Sequence, residues 1–366
     1  MRRRGVTVLL GAALTVLLGF LIGRADVPYV ALSPGPTVDT LGAVDRHGDA
    51  CSNPAAPAPK PSGATPSPKA EPDCQQVIQI TGIPTSTGKG QLRMVTVSVQ
   101  SSMTLVDTIR GWISGSEAVI PRKLIYPEDK TEQQVEQENK QEFENSQSSA
   151  ETAALTELGY PVKVTVTEVT PDGAAAGQLQ SNDIINTVDG TPVTSTQKLL
   201  ELIQAKPVGS TLKIGYTRGA DEGTASITTK AGTDGTPRVG IGVKTIQPHP
   251  FELNIKLDKI GGPSAGMMFA LGIIDKIKSE DLTNGFVVAG TGTIDDEGNV
   301  GPIGGVTQKL YGAKDAGATI FLTPATNCEE AKSNVPDGLR LVKVSTLDEA
   351  LAALAALPNG GPLPSC

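Results

Sequence analysis

The chain has 366 residues, 38% of them hydrophobic, and a formal charge of −8, which describes a mildly acidic body with room for two or three modules. That balance excludes a nucleic-acid binder working through a basic surface, because the one basic cluster, Arg2-Arg3-Arg4, has another explanation. A structural zinc site is excluded by the absence of any C-x-x-C pair and by the isolation of His47, so no metal and no cofactor are expected.

Gly5–Gly23 carries no charge and as a helix would span about 28 Å, close to the thickness of a bilayer core. The arginines before it would hold that end in the cytoplasm and place everything after Arg24 outside. The expectation is a single-pass cell-membrane protein, anchored by residues 1–25, with an extracytoplasmic body. The competing reading is a cleaved signal peptide, since Gly23-Arg24-Ala25 has small residues at the cleavage spacing.

Residues 26–157 read as an N-terminal extracytoplasmic region that opens on Ser33-Pro34-Gly35-Pro36 and contains a Pro-rich, low-complexity loop, 51–74. Cys51, Cys74, Cys328 and Cys366 suit an oxidising compartment, and the simplest pairing joins Cys51 to Cys74 and Cys328 to Cys366. Two alternating segments, Val77–Gly82 and Leu92–Val99, predict strands with a turn at Gly88-Lys89-Gly90. The turn is not a phosphate loop: Gly82 stands one residue too far from Gly88-Lys89, and Gly90 takes the place of the magnesium-binding Ser/Thr. No ATP is therefore expected. Leu105–Ile113 predicts a helix carrying Trp112, and Lys130–Leu158 a long helix with a solvated, charged face.

From Val162 the pattern changes. A strand over Val162–Val169 is followed by Pro171-Asp172-Gly173-Ala174-Ala175, then Gly177-Gln178-Leu179 through Asp183-Ile184-Ile185, Val188-Asp189-Gly190-Thr191-Pro192-Val193, and a helix Thr196–Gln204. This run resembles a PDZ domain, assigned to residues 158–232. The resemblance implies capture of a peptide C-terminus as an added strand, with Leu158, Gly159 and Tyr160 as the candidate carboxylate loop. A domain serving only as a spacer is the alternative.

Beyond Arg238, strands and helices alternate in the manner of an α/β layer fold; Thr346 and Glu349 form a capping box for the last helix. Gly262-Pro263-Ser264-Ala265-Gly266 satisfies the G-x-S-x-G elbow of the α/β-hydrolases, which needs a histidine later in the chain. Both histidines, His47 and His249, come earlier. A lysine is the usual substitute base, provided that burial lowers its pKa. Lys309 qualifies: after Gly304-Gly305, Val306, Leu310 and Ala313 recur at helical spacing and place it beside an apolar stripe. Pro263 suits the first turn of a helix, so Ser264 is expected at a helix N-terminus, where free N–H groups, those of Gly262 and Ser264 among them, would hold an oxyanion.

Gly-Pro-Ser-Ala-Gly, Ala289-Gly290-Thr291-Gly292-Thr293-Ile294, Gly298-Asn299-Val300 and Pro302-Ile303-Gly304-Gly305 followed by Lys309 resemble, in order and spacing, the proteolytic domain of the Lon proteases. The resemblance implies a Ser-Lys dyad, Ser264 and Lys309, that hydrolyses peptide bonds through an acyl-enzyme, with Thr291 orienting the lysine. Gly261 departs from the pattern, since ATP-dependent members carry an acidic residue there. The domain is assigned to residues 238–358, with a tail at 359–366. The full reading is an α/β (α+β mixed) multidomain chain: transmembrane helix, β-rich PDZ-like domain and Lon-like α/β domain. This order resembles the bacterial membrane-bound PDZ-plus-Lon-domain proteins. They imply an ATP-independent endopeptidase acting on protein or peptide substrates, and assembly into a homo-oligomer by analogy with related rings. A non-catalytic PDZ adaptor and a tail-specific Ser-Lys protease are the rival classes.

Overall fold

The computed structural model describes residues 23–45, 51, 74–86, 88–257, 260–278 and 281–366, together with Leu14. The span expected at Gly5–Gly23 and the loop expected at 51–74 lie, apart from Leu14, Gly23, Cys51 and Cys74, outside those residues. Among the described residues no helix is long and apolar enough to cross a membrane.

In chain order the principal strands are β1 (Tyr29–Asp39), β2 (Gln91–Gln100), β3 (Ala118–Pro121), β4 (Lys163–Val169), β5 (Ile184–Val188), β6 (Thr211–Arg218), β7 (Asp221–Thr228), β8 (Ile241–Ile246), β9 (Val287–Gly290), β10 (Ile320–Pro324) and β11 (Arg340–Val344). The helices are α1 (Leu105–Ile113), α2 (Glu132–Glu157), α3 (Thr196–Gln204), α4 (Gly266–Ile277), α5 (Val306–Asp315), α6 (Cys328–Lys332) and α7 (Leu347–Ala356).

Two compact units result: residues up to Ala154 together with Phe251–Cys366, and between them Leu155–Pro250. The N-terminal region as far as Ala154 and the proteolytic domain from Phe251 on, expected as separate modules, belong together to the first unit. Its sheet runs β11-β10-β9-β2-β1-β3. Burial drives this pairing, because Leu92, Met94 and Val95 of β2 are at most 2% exposed. They reach that burial by lying parallel to β9, with Leu92 opposite Val288. β9, β10 and β11 are mutually parallel, whereas β1 is antiparallel to both β2 and β3.

Helix α4 has no charge before Asp275, and a helix apolar all round belongs inside a fold. It is buried from Gly266 to Lys276 and packs against β2. On α5, Val306, Leu310 and Ala313 join Val95, Ala289 and Phe321 in one apolar cluster. The tail does not stand apart: Lys343 N–H donates to Pro364 O at 2.9 Å, and a disulfide joins Cys366 to Cys328. A second disulfide joins Cys51 to Cys74.

The inserted unit is an antiparallel sheet, β7-β6-β5-β4-β8, around Val164, Val166, Ile185, Leu212, Ile214 and Ile227. Ser195 caps α3 by accepting the Lys198 N–H at 3.0 Å, and α3 lies beside β8. The unit thus extends past residue 232. Val239, Ile241 and Val243, expected in the proteolytic domain, pack on this core instead.

The tail disulfide closes a loop of sequence separation 38. A Cys328→Ser/Cys366→Ser variant should lose about 2–4 kcal/mol of unfolding free energy. Urea titration checks this, and an unchanged midpoint would count against a stabilising role for the bond.

Candidate active site

Ser264 is half-buried in the turn just ahead of α4, whose first residue is Gly266. Pro263 consequently precedes the helix and does not occupy its first turn. Each residue from Gly262 to Ser264 is fastened by a hydrogen bond. The Gly262 N–H donates to Asn139 O of α2 at 2.8 Å. Ser146 of α2, 5% exposed, donates its hydroxyl to Pro263 O at 2.9 Å. Ser264 O accepts from the Gly292 N–H and from Thr291 Oγ1, both at 2.9 Å. Gly262 can take this path because its φ is +83°, a region that costs glycine little.

The α2 face responsible is an apolar stripe, Val135, Phe143, Ala150 and Ala153, interrupted by buried Ser146. Phe143 meets Phe269 of α4 edge-on, with ring centroids 5.7 Å apart. A side chain at Gly261 would begin 3.1 Å from Asn139 Cβ, so close approach of α2 accounts for glycine at this position.

Lys309 is 3% exposed, one turn into α5. Its ammonium donates to Thr291 Oγ1 at 3.1 Å, and Thr291 is itself fully buried. Thr291 therefore bridges the lysine to the Ser264 carbonyl. Desolvation pushes the Lys309 amine down from 10.5 to about 7, since an apolar surrounding disfavours the charged form. At neutral pH a large share of the amine is unprotonated and able to act as a base.

The start of α5 is fixed from three sides. Gly305 has φ +66°, and a Cβ there would lie 2.7 Å from Val97 Cγ2. The Asn327 side chain brackets Ile303, accepting its N–H at 3.0 Å and donating to its O at 2.9 Å. Gln308 Nε2 donates to Ser116 O at 3.3 Å.

Ser264, Thr291 and Lys309 thus come together. The expected oxyanion pair does not survive intact, because the Gly262 N–H is already given to Asn139. Among the described residues the N–H groups of Ser264, Ala265 and Gly266 have no hydrogen-bond acceptor, and a developing oxyanion would meet them. Leu158, Gly159 and Tyr160, the candidate carboxylate loop, follow the last turn of α2 directly. They terminate α2 in a Schellman turn, with Gly159 at φ +86° and with Tyr160 N–H to Leu155 O at 2.8 Å and Gly159 N–H to Thr156 O at 3.0 Å. Asn139, Ser146 and Asn327 were not singled out from sequence, since a lone polar residue in an apolar stripe carries no motif.

A buried lysine tied through Thr291 to the carbonyl of a serine just ahead of a helix, on a mixed sheet, is the arrangement that the resemblance to Lon proteolytic domains implied. Residues 258–357 match the Lon protease (S16) C-terminal proteolytic domain, and residues 133–229 match the PDZ domain family. The PDZ match begins inside α2 and stops before β8, whereas the folded unit closes with β8. Lon protease 2 of Bacillus subtilis is 34% identical over 116 residues, 31% of this chain and 20% of that protein. Lon protease 1 of Sorangium cellulosum is 37% identical over 94 residues, 25% and 11% respectively. The PDZ domain of an SdrC-like protein from Listeria monocytogenes is 36% identical over 22% of this chain and 85% of that one, with a TM-score of 0.21. The chain spans a fifth or less of the length of those two Lon proteases.

The sign of the pH dependence follows from the base. Peptide hydrolysis should rise with pH through about 7 and level off above it, because only neutral Lys309 accepts a proton. The folded pKa lies below the unfolded one, so this group's contribution to stability improves as pH climbs from about 7 toward 10.5. Lys309→Met should therefore abolish turnover while raising stability at pH 7 by up to about 4 kcal/mol. Thr291→Val should lower kcat on the order of 10²-fold. A wild-type rate and pH profile in Thr291→Val would remove that residue from its bridging role.

Proposed function

We propose that the chain is a membrane-anchored, ATP-independent serine endopeptidase acting on extracytoplasmic proteins, with its inserted PDZ unit recognising their extended ends. The observation that carries the chemistry is the buried Lys309 amine, lowered to about 7 and tied through Thr291 to the Ser264 backbone. Ser264 Oγ attacks the scissile carbonyl and passes its proton to neutral Lys309. The tetrahedral oxyanion meets the free N–H groups entering α4, and the Lys309 ammonium returns the proton to the leaving amine. Water then repeats the sequence on the acyl-enzyme. Lys309 Nζ rests on Thr291 in this structure, so the amine must turn to Ser264 Oγ as substrate arrives. Catalytic hydrogen bonds commonly tighten only in the substrate complex.

Extracytoplasmic action is supported by the two disulfides, which persist in oxidising compartments, and by the uncharged stretch Gly5–Gly23 after three arginines. Peptide recognition is supported by β8, an edge strand of its sheet flanked by α3. An incoming extended segment would add to that edge.

Two experiments test the proposal. A fluorophosphonate probe should label wild-type protein and not Ser264→Ala, which should be inactive. Lys163 pairs with Ile246 where the chain enters and leaves the inserted sheet, so residues 164–245 can be replaced by a short Gly-Ser link. That variant should raise KM for a protein substrate about tenfold and keep short-peptide kcat/KM within about twofold. Equal losses on both substrates would overturn the recognition role.

A further inference from the structure

Helix α1 is built inside out. Its buried residues are Thr108 and Gly111, and its large apolar residues face outward: Val106 is 59% exposed, Ile109 47%, Trp112 64% and Ile113 82%. The helix is nevertheless well formed. A capping box joins Thr104 and Asp107, and Thr108 donates its hydroxyl to Thr104 O at 3.0 Å. Gly111 permits close contact with β3, because a Cβ there would lie 2.6 Å from Val119 Cγ2. The Trp112 ring is braced edge-on by Tyr29, with centroids 6.4 Å apart. A contiguous apolar face held this firmly against solvent marks a binding surface.

The position of α1 in the chain identifies what covers that face. Asp26 and Val27 pair with Thr104 and Met103, and the Leu105 N–H donates to Ala25 O at 3.2 Å. A side chain on Gly23 would begin 3.0 Å from Val106 Cγ2. The end of the uncharged stretch Gly5–Gly23 is thereby fastened to the first turn of α1. Where that stretch enters a bilayer, α1 lies at the bilayer surface. We infer that α1 rests on a lipid membrane, with Val106, Ile109, Trp112 and Ile113 seated at the boundary between headgroups and acyl chains; this rests on the anchor reading above.

The chemistry suits lipid. Tryptophan favours the membrane interface, and an apolar face flanked by basic residues is the composition of interfacial helices. Arg24 and Arg110 flank it, and Lys123 lies exposed beside exposed Leu124, which suits anionic headgroups. A nine-residue helix would bind lipid weakly alone, but a neighbouring anchor makes the contact intramolecular and raises its effective concentration. The contact also orients the catalytic unit. Ser116, just past α1, accepts the Gln308 side chain at 3.3 Å, next to Lys309, so the general base is held a short loop from the lipid-facing helix. Substrates tethered to the same membrane are the class this arrangement favours.

Trp112 is the only tryptophan, so intrinsic fluorescence of the full chain reports on α1 alone. In vesicles of phosphatidylcholine and phosphatidylglycerol, its emission should shift to the blue. It should be quenched by lipids brominated near the headgroup end of the acyl chain and shielded from iodide. An Ile109→Asp/Ile113→Asp variant should still float with vesicles and hydrolyse a short peptide at the wild-type rate, but lose the bromolipid quenching. Iodide quenching without bromolipid quenching in floating wild-type protein would overturn the inference and leave the anchor standing. Shielding from both quenchers, with cross-linking between copies, would assign the face to a second copy of the chain and likewise overturn it. Failure of the wild-type chain to float would remove the anchor reading and this inference with it.

Discussion

An amine that must be uncharged to work and sits among apolar side chains is the constraint on which the catalytic unit depends. Desolvation alone brings Lys309 to about 7, so the site works only while water stays out of the space around the α5 first turn. Val306, Leu310 and Ala313 secure that turn against the sheet. Gly305, in a left-handed conformation under Val97, sets its angle of entry. Asn327 fixes the preceding loop with two hydrogen bonds to one residue, Ile303. Cys328 follows Asn327 directly and is bonded to Cys366, so the tail is tethered to the bracket that aims the base.

The nucleophile is prepared in the opposite way, by fastening its backbone and leaving its side chain free. Asn139, Ser146, Thr291 and Gly292 hold three successive residues, and this leaves rotation of the Ser264 side chain as the principal freedom at the turn. Such preorganisation lowers the cost of reaching a reactive geometry. Two of those four residues belong to α2, the helix whose last turn is the start of the inserted unit. An insertion that follows a helix already engaged with the nucleophile turn leaves both halves of the catalytic sheet able to pair as though uninterrupted.

What the sequence revealed and what it hid divide along physical lines. Ser264, Thr291 and Lys309 were legible because short glycine-rich motifs report local backbone needs, and the arithmetic of two early histidines forced the choice of a lysine. The expected capping box at Thr346 formed in part: Thr346 Oγ1 accepts the Glu349 N–H at 3.2 Å, but the Glu349 carboxylate accepts the N–H of Ser345, one residue before the cap, at 2.6 Å. Alternation in Gln91–Gln100 announces a strand but not its partner, and that partner, Val287–Gly290, lies beyond the whole inserted unit. The alternation fixes which face of the strand is buried and leaves open which distant strand buries it. Gly159 was ambiguous for a related reason, since a glycine that ends a helix and one that opens a carboxylate loop look alike in sequence, and here it ends α2.

The edges of the two sheets are finished differently. An unpaired strand edge invites association, and proteins commonly cover it. In the catalytic unit the tail lies along β11, where Lys343 donates to Pro364. In the inserted unit β8 is an outer strand with α3 alongside, and Gly240, at φ +78°, turns the chain into it. One side of β8 is satisfied by β4 along six residue pairs, from Ile241 opposite Val169 to Ile246 opposite Lys163, with a register shift between Gly242 and Val243, and β8 pairs with no second strand of that sheet among the described residues.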